Sequence, residues 1–160
     1  MTQVMVKVVV DILPVDAWSL MSDFSSPHKY VPGILKTKVL PGPTSGVGAH
    51  RLVFDKVGKS IDETVIEWIE GSGFKMRLHQ GEMNLSPFKY AQFNYHVSPE
   101  GSDSTLVELT MVFELHWGLL GSVIGNLIFR PVIKYRLMGV ATGLKFFYEN
   151  TVESSKEHIE

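Results

Sequence analysis

Apolar and polar residues alternate with a period of two through most of the chain between residues 34 and 115, and recur at helical spacing after residue 118. The first pattern is typical of antiparallel strands with one wet face, and the second indicates an amphipathic helix. We therefore predict a sheet followed by one long helix over 118–152. A lone helix cannot bury its apolar stripe by itself, so it must lie across that sheet. If the sheet is strongly curved, the two would enclose a cavity, which suggests a small-molecule function.

Turn and breaker residues divide the region before this helix into its elements. Two short helices are predicted at 15–21 and 23–30, the first after a proline turn. A loop rich in proline and glycine is predicted over 41–46. The predicted strands cover residues 3–13, 34–40, 47–55, 60–69, 74–80, 88–97 and 104–115.

The long predicted helix has two halves of different character. Its second half carries an apolar stripe formed by Ile133, Leu137, Val140, Ala141, Leu144, Phe147 and Tyr148. The half before Pro131 is apolar on nearly all sides, and Pro131 should kink the helix or mark its true start. This first half could cap the cavity, dock on a membrane surface or simply be buried. Capping or burial is favoured, because a membrane-binding helix normally carries a basic face and only Arg130 and Lys134 stand nearby.

Length and charge narrow the class of protein. The 160 residues suit one domain over 1–160, and 15 basic against 17 acidic residues give a formal charge of −2. Nucleic-acid binding is not expected, because it needs a concentrated basic face. No apolar run approaches the roughly 20 residues of a membrane span, so no stable membrane insertion is expected. The amino terminus is predicted to be a strand rather than a signal peptide, and a cytoplasmic protein is the default.

Few residue types are available for metal or nucleophile chemistry. The chain has no cysteine, which excludes disulfides and thiolate catalysis. None of the six histidines has the close spacing of a metal site, so neither a metal nor another cofactor is expected. His28, beside Pro27, is the best candidate for a functional histidine, although an ordinary loop histidine is favoured. The glycine-rich segment 42–48 lacks the lysine of a phosphate-binding loop, and no nucleophile elbow is present.

Four segments resemble the START/SRPBCC superfamily, and within it the polyketide cyclase/dehydrase-like branch. Residues 15–24 (VDAWSLMSDF) resemble the first-helix signature of that branch, and residues 30–34 (YVPGI) resemble its approach to the second strand. Residues 46–51 (GVGAHR), followed by 61–63 (IDE), resemble its paired glycine-arginine and glutamate strands. The resemblance implies an α+β helix-grip fold. In that fold a curved antiparallel sheet of about seven strands wraps around a long C-terminal helix, with two short helices after the first strand.

The resemblance also implies which residues face a ligand. The family's cavity lies between the concave sheet face and the last helix, and alternation agrees with the resemblance for the strands after residue 73. For the third and fourth strands, apolarity would turn His50, Leu52 and Phe54 inward, whereas the resemblance turns Arg51 and Glu63 inward; we follow the resemblance. The predicted ligand-binding set is Val31, Arg51, Val53, Glu63, Phe74, Met76, Phe93, Tyr95, Leu109, Met111, Phe129 and Leu137.

Two consequences follow from turning Arg51 and Glu63 inward. The two should pair across the hairpin, because a buried unpaired charge would cost several kcal/mol, and Glu67 could join them. The side chains on the other face of the third and fourth strands would then form an apolar patch on the convex side of the sheet. Monomers rarely expose such patches. A homodimer is therefore predicted as a candidate partner through His50, Leu52, Phe54, Ile66 and Trp68.

These expectations favour a binding protein for a small hydrophobic molecule, either a lipid, a polyketide or an aromatic compound. The alternative is a cyclase/dehydrase-type enzyme in which Arg51 steadies an enolate oxygen and Glu63 moves a proton. A protein-interaction module that uses the convex patch or the helix surface is a further alternative, since fold alone does not decide function.

Overall fold

A computed structural model describes residues 1–159. Helix α1 covers Pro14–Met21, a short 3-10 turn covers Pro27–Lys29, α2 covers Gly118–Ile124 and α3 covers Arg130–Glu157. The strands are β1 (Thr2–Val10), β2 (Ile34–Val39), β3 (His50–Asp55), β4 (Ser60–Ile69), β5 (Gly73–Gln80), β6 (Met83–Asn84), β7 (Phe88–Glu100) and β8 (Ser104–Leu115).

The strands form one antiparallel sheet in the order β1-β8-β7-β5-β4-β3-β2, with the short β6 added beside β5. Helix α3 packs mainly against β1, and β1 pairs with β8 at that end of the sheet. The core therefore lies between the inner face of the sheet and α3, with α1 closing one end. This is the helix-grip arrangement that the resemblance implies.

Most of the predicted elements are confirmed, and the differences occur where local backbone chemistry intervenes. The predicted helix over 23–30 is only the 3-10 turn, and β3 begins at His50 rather than at residue 47. Gly46 and Gly48 both have positive φ, at 80° and 90°, a conformation outside the strand region that glycine adopts without steric cost. The strand therefore cannot begin before this loop ends.

A β-bulge in β4 changes which residues of that strand face inward. Register shifts between Val65 and Glu67, so Glu67 lies opposite Lys75 and Trp68 lies opposite Phe74. Because one inserted residue reverses the alternation, Trp68 turns into the core, where it stacks on Phe74 with ring centroids 5.2 Å apart. The predictions that Trp68 lies on the convex patch and that Glu67 joins Arg51 are therefore wrong.

The convex patch is also more polar than predicted. His50 bonds to Asp62, and Phe54 lies beneath the ammonium of Lys36 at 5.6 Å. Of the predicted patch, Ile66 is the residue that stands clearly exposed, at 43%. The apolar surface available to a second copy at this face is accordingly smaller than the sequence suggests.

The last helix is continuous from α2 into α3 through a π turn at Gly125–Phe129. Pro131 is the second residue of α3, and the wider turn just before it accommodates a residue without an N–H. The stripe predicted in the second half is confirmed, since Ile133, Leu137, Val140, Ala141, Leu144 and Tyr148 are buried. Capping or burial is the favoured prediction for the first half, and burial is wrong for its leucines, because Leu119, Leu120 and Leu127 are 90%, 72% and 73% exposed.

Glycines on the helix set how closely it approaches its neighbours. A Cβ at Gly143 would lie 2.2 Å from the carbonyl oxygen of Tyr30, so the loop after α1 rests directly on the helix backbone. A Cβ at Gly139, one turn earlier, would meet only the Cγ of Pro32 at an ordinary 3.5 Å. The two positions therefore differ in what a methyl group would displace.

We predict that Gly143→Ala destabilises the protein by about 2 kcal/mol, because the backbone of Tyr30 must move to admit the methyl group. Gly139→Ala serves as the matched control and should be neutral or stabilising by up to about 1 kcal/mol, owing to the better helix propensity of alanine. Urea denaturation of both variants measures the difference. Equal stabilities of the two variants would contradict the close contact at Tyr30.

Candidate functional site

Arg51 lies near the start of β3 with its side chain on the inner face of the sheet, where it is only 1% exposed. The antiparallel register places it directly opposite Glu63 of β4. Its Nε donates to Glu63 Oε2 at 2.6 Å. The structure therefore has the predicted inward orientation and pairing of these two residues. Both follow from the register of β3 against β4, which places the two residues directly opposite each other.

The remaining donors of Arg51 have unequal partners. Nη1 donates to the carbonyl oxygen of Phe24 at 3.0 Å, and the guanidinium lies 4.2 Å from the centre of the Phe24 ring. Nη2 faces the sulfur of Met76 at 3.5 Å, which is a weak acceptor. The guanidinium is thus held on three sides but keeps hydrogen-bonding capacity at Nη2.

Three buried tyrosines lie near enough to this ion pair for the charge of Arg51 to act on each of them. Tyr30 follows the 3-10 turn, Tyr95 lies on β7 and Tyr148 lies on α3. The Tyr30 hydroxyl donates to the Tyr95 hydroxyl over a long 3.5 Å, and the hydroxyl of Tyr148 has no hydrogen-bond partner among residues 1–159. Tyr30 packs edge-on against Tyr148 with ring centroids 6.1 Å apart. We call Arg51, Glu63, Tyr30, Tyr95 and Tyr148 the polar cluster.

Burial governs the protonation of the polar cluster. Loss of solvent raises the pKa of Tyr95 and of Tyr148 well above the ordinary value, and raises that of Tyr30 despite the opposing charge of Arg51. Burial by itself would lower the pKa of Arg51, but the charge and hydrogen bond of Glu63, together with the influence of Tyr30 and Tyr95, outweigh it and the pKa is raised. The tyrosines are therefore neutral donors and Arg51 is a permanent cation.

The predicted ligand-binding residues do not all come together. Val53, Phe74, Met76, Tyr95 and Leu109 are buried with Arg51 on the inner face. Leu137 is also buried, but it packs with Phe129 and Met111 in a second cluster at the other end of the core. Five of the predicted residues are only partly buried, namely Val31, Glu63, Phe93, Met111 and Phe129.

The interior is filled by the protein's own side chains. Phe74, Met76, Tyr95 and Leu109 are each at most 5% exposed, which leaves little room for a water molecule against them. Two open hollows of about 250 and 310 Å³ lie elsewhere, one mainly on the convex face beside Lys75 and His96 and one beside Leu119. A ligand between the sheet and α3 would therefore have to displace side chains.

Sequence reasoning missed Tyr30, Tyr148 and Phe24 as members of this site. Tyr148 was visible only as part of the apolar stripe of the last helix, and Tyr30 only as part of the YVPGI segment. Neither position carries a local signal that it lies near Arg51, because this proximity joins residues far apart in the chain. A tyrosine within a buried stripe does signal a hydroxyl that needs a partner.

A second polar group lies on the convex face, where the prediction saw no metal-ligand spacing. Strands β3, β4 and β5 bring atoms of His50, Asp62 and His79 within 4.8 Å of one another. His50 Nε2 lies 2.7 Å from Asp62 Oδ1, and the N–H of Gly81 donates to Asp62 Oδ2 at 2.8 Å. His79 bonds through Nε2 to Thr64 and through Nδ1 to the carbonyl of Gly81.

These side chains could offer a metal ion two imidazoles and a carboxylate, but binding would have to break hydrogen bonds already made. We interpret the group as a cross-strand network that ties β3 and β4 to the turn after β5. Spacing along the chain could not reveal it, because the three residues meet only through strand register.

Comparison with known proteins matches the whole chain, residues 1–160, to the family model described as polyketide cyclase/dehydrase and lipid transport. No functionally curated protein matches at a significant level. Among solved structures, a START superfamily protein from Mycobacterium smegmatis is similar, with a TM-score of 0.71, 19% identity and coverage of 93% of this chain and 98% of the other.

Norcoclaurine synthase from Thalictrum flavum, solved with dopamine and hydroxybenzaldehyde, is also similar, with a TM-score of 0.69 and 16% identity over 91% of this chain and 85% of the other. A protein from Thermus thermophilus has a TM-score of 0.68 and 18% identity over 94% of this chain and 99% of its own. At these identities the likeness concerns the fold. Within residues 1–159, none of the helices is long and apolar enough to cross a bilayer.

We predict that Glu63→Gln destabilises the protein by about 3 kcal/mol, because it leaves the buried charge of Arg51 without a counter-charge. Replacing both partners, Arg51→Met with Glu63→Gln, should recover much of that loss, since the buried charge is then absent. Glu114→Gln is the control, because it breaks the exposed pair with Lys89 and should cost less than about 1 kcal/mol. Denaturant unfolding measures the free energy of unfolding of all three variants. A Glu63→Gln protein that is as stable as the Glu114→Gln control would contradict this prediction.

We predict that Asp62→Asn costs about 1–2 kcal/mol at neutral pH, because the carboxylate accepts hydrogen bonds from Gly81 and His50. Burial would raise the pKa of Asp62, but those hydrogen bonds and the nearby His79 lower it below its ordinary value. A lowered pKa contributes stability above the unfolded-state pKa of about 4 that disappears as pH falls through the folded-state value. The gap between wild type and variant should therefore close in acid.

Unfolding curves recorded from neutral to acidic pH test this dependence. Asp103→Asn, in the exposed turn between β7 and β8, is the matched control and should leave stability unchanged across the range. A gap for Asp62→Asn that stays constant down to the lowest pH would contradict the assignment of the stability to the ionised carboxylate.

Proposed function

Because the chain belongs to the polyketide cyclase/dehydrase and lipid transport family, we propose that it binds a small hydrophobic molecule between the sheet and α3. The family and the START-like fold support a ligand-binding role in general. The apolar class of the ligand is supported by the side chains around the polar cluster, which are mainly Val53, Phe74, Met76 and Leu109.

One observation carries the proposal furthest, namely the buried hydroxyl of Tyr148 that has no hydrogen-bond partner among residues 1–159. A buried hydroxyl without a partner costs about 1–3 kcal/mol, and the Nη2 of Arg51 and the long Tyr30–Tyr95 hydrogen bond add further unmet capacity. A ligand oxygen placed among these groups would accept hydrogen bonds from them. This supports a mainly apolar ligand with one carbonyl or hydroxyl oxygen.

The charge balance of the polar cluster favours a neutral ligand oxygen over a carboxylate. Glu63 already neutralises Arg51 through a 2.6 Å bond, so a second anion would enter a polar cluster whose one cation is already paired. The tyrosines keep their protons because burial raises their pKa. Neutral donors of this kind bind a carbonyl oxygen without a proton transfer.

The entry of a ligand into the interior is best supported at four partly exposed residues, Val31, Glu63, Phe93 and Met111. A ligand arriving there would have to displace side chains, and Met76 and Met111 can adopt several shapes at low cost. We infer that the filled interior is the ligand-free arrangement and that binding opens it at one or more of these partly exposed residues.

Enzymatic use of Arg51 and Glu63 ranks second. A cyclase-like reaction needs a group that moves a proton, and the carboxylate of Glu63 is engaged by Arg51. The neighbouring tyrosines are poor bases, because burial raises their pKa and keeps them protonated. The same features that disfavour proton transfer are compatible with binding, which is why we place binding first.

We predict that Tyr148→Phe weakens ligand binding while it stabilises the ligand-free protein. The probe is a neutral naphthyl ketone fluorophore, whose emission shifts to the blue in an apolar site. Loss of one hydrogen bond to its carbonyl should lower affinity by about fivefold, and removal of the orphaned hydroxyl should raise unfolding stability by up to about 1 kcal/mol. Fluorescence titration and denaturant unfolding measure the two effects.

Tyr135→Phe is the matched control, because Tyr135 lies on the same helix but is 80% exposed. It should change neither quantity. Absence of saturable probe binding, or equal affinity of wild type and Tyr148→Phe, would contradict the proposed site. Native mass spectrometry of the purified protein adds an independent check for a retained small molecule.

A further inference from the structure

Large apolar side chains stand exposed along the outer side of the helix that runs from α2 through the π turn into α3. Leu119, Leu127 and Tyr135 are 90%, 73% and 80% exposed. We call the exposed set the apolar ridge; it consists of Trp117, Leu119, Leu120, Val123, Leu127, Ile128, Val132, Tyr135 and Met138. Its members fall into two runs spaced by three or four residues, one ending at Leu127 and one beginning at Ile128, which join at the π turn. Monomers rarely leave so many neighbouring apolar side chains uncovered.

The ridge is not needed to hold the chain together. The side of the helix that faces the sheet carries small residues, since a Cβ at Gly121 would lie 3.2 Å from Leu115 and one at Gly125 would lie 3.3 Å from Thr2. Ile124 and Phe129 supply the apolar contacts on that side. The helix therefore packs against the sheet largely through glycines, while its leucines face outward. A helix that only covers a core would show the reverse pattern.

The stretch of chain that carries the ridge has basic residues but no acidic ones. The sequence contains no acidic residue between Glu114 and Glu149, although the chain as a whole carries 17 acidic and 15 basic residues. Arg130, Lys134 and Arg136 lie within this stretch and are exposed. Among residues 1–159 none of these three forms an ion pair, so their charges are available to an external anion.

We propose that the apolar ridge docks on a membrane surface that contains anionic lipid, with the helix lying in the plane of the interface. Leucine, isoleucine and valine side chains would enter the boundary between headgroups and acyl chains, while Arg130, Lys134 and Arg136 would face lipid phosphates. Trp117 and Tyr135 are residue types that favour this interface. The docking goes beyond the proposed ligand binding and does not depend on it.

Charge also distinguishes a membrane from a second copy of this chain as the occupant. A two-fold contact would bring the ridge against itself, so that Arg130, Lys134 and Arg136 of both copies would border one contact. With no carboxylate in the stretch, those charges would repel each other in a partly desolvated contact. An anionic lipid surface satisfies both the apolar and the basic side chains.

Vesicle flotation of the full chain tests the proposal, with phosphatidylcholine vesicles compared with vesicles that also contain phosphatidylglycerol. The wild type should float with the anionic vesicles and much less with the neutral ones, and added salt should weaken binding. The double variant Leu120→Ser with Leu127→Ser should lose about tenfold or more of the partitioning. Arg130→Gln with Lys134→Gln should lose the preference for anionic vesicles.

Matched controls lie away from the helix, in the turn between β3 and β4 and on β6. Val57→Ser with Met83→Ser changes two apolar residues of comparable exposure, at 86% and 69%, and Lys56→Gln with Lys59→Gln removes two charges. Both should bind vesicles as the wild type does. Thermal unfolding of every variant confirms that exposed substitutions leave the fold intact.

Three results would overturn the proposal. The first is no flotation of the wild type with either vesicle, and the second is equal loss in the ridge variants and their controls. The third is a dimer in analytical ultracentrifugation that Leu120→Ser with Leu127→Ser dissociates, without vesicle binding by the wild type, because the ridge would then be a self-contact.

Discussion

Placing the guanidinium of Arg51 inside an otherwise apolar interior is the constraint on which much of this structure depends. A buried unpaired charge costs several kcal/mol, so the register of β3 against β4 must bring Glu63 opposite it. Once that register is set, the inner and outer faces of both strands follow from alternation. The carbonyl and ring of Phe24 complete the enclosure, which ties the segment after α1 to the sheet.

The same constraint explains why the core is polar at one end and apolar at the other. Near Arg51 the last helix contributes Tyr148, whose hydroxyl finds no partner in the described chain, while towards its start it contributes Ile133 and Leu137 to a purely apolar cluster. One helix thus covers two different interiors. Its outer side differs as well, because the apolar ridge lies over the part of the helix farthest along the chain from Tyr148. The same helix would therefore contact both a ligand bound inside the protein and a membrane surface bound outside it.

The local pattern of apolar and polar residues predicted a large part of the fold, and particular residues show where that pattern failed. The inward positions of Phe74, Met76, Tyr95 and Leu109 followed from alternation, since nothing interrupts the period of two in those stretches. Trp68 did not follow it, because the bulge after Val65 inserts one residue and reverses the faces beyond it. The pairing of Arg51 with Glu63 came from family resemblance, whereas apolarity alone favoured the opposite face.

By itself the sequence determined the order of the elements, the apolar stripe from Ile133 to Tyr148 and the exclusion of thiolate chemistry. Each of these depends on residues close together in the chain or on simple counting. Tertiary structure alone decided that Tyr30 and Tyr148 lie within the influence of the Arg51 charge, that His50, Asp62 and His79 converge, and that the leucines before Pro131 face outward. These depend on strand register and on how closely Gly121 and Gly125 let the helix approach the sheet, which are non-local distances that no local period encodes.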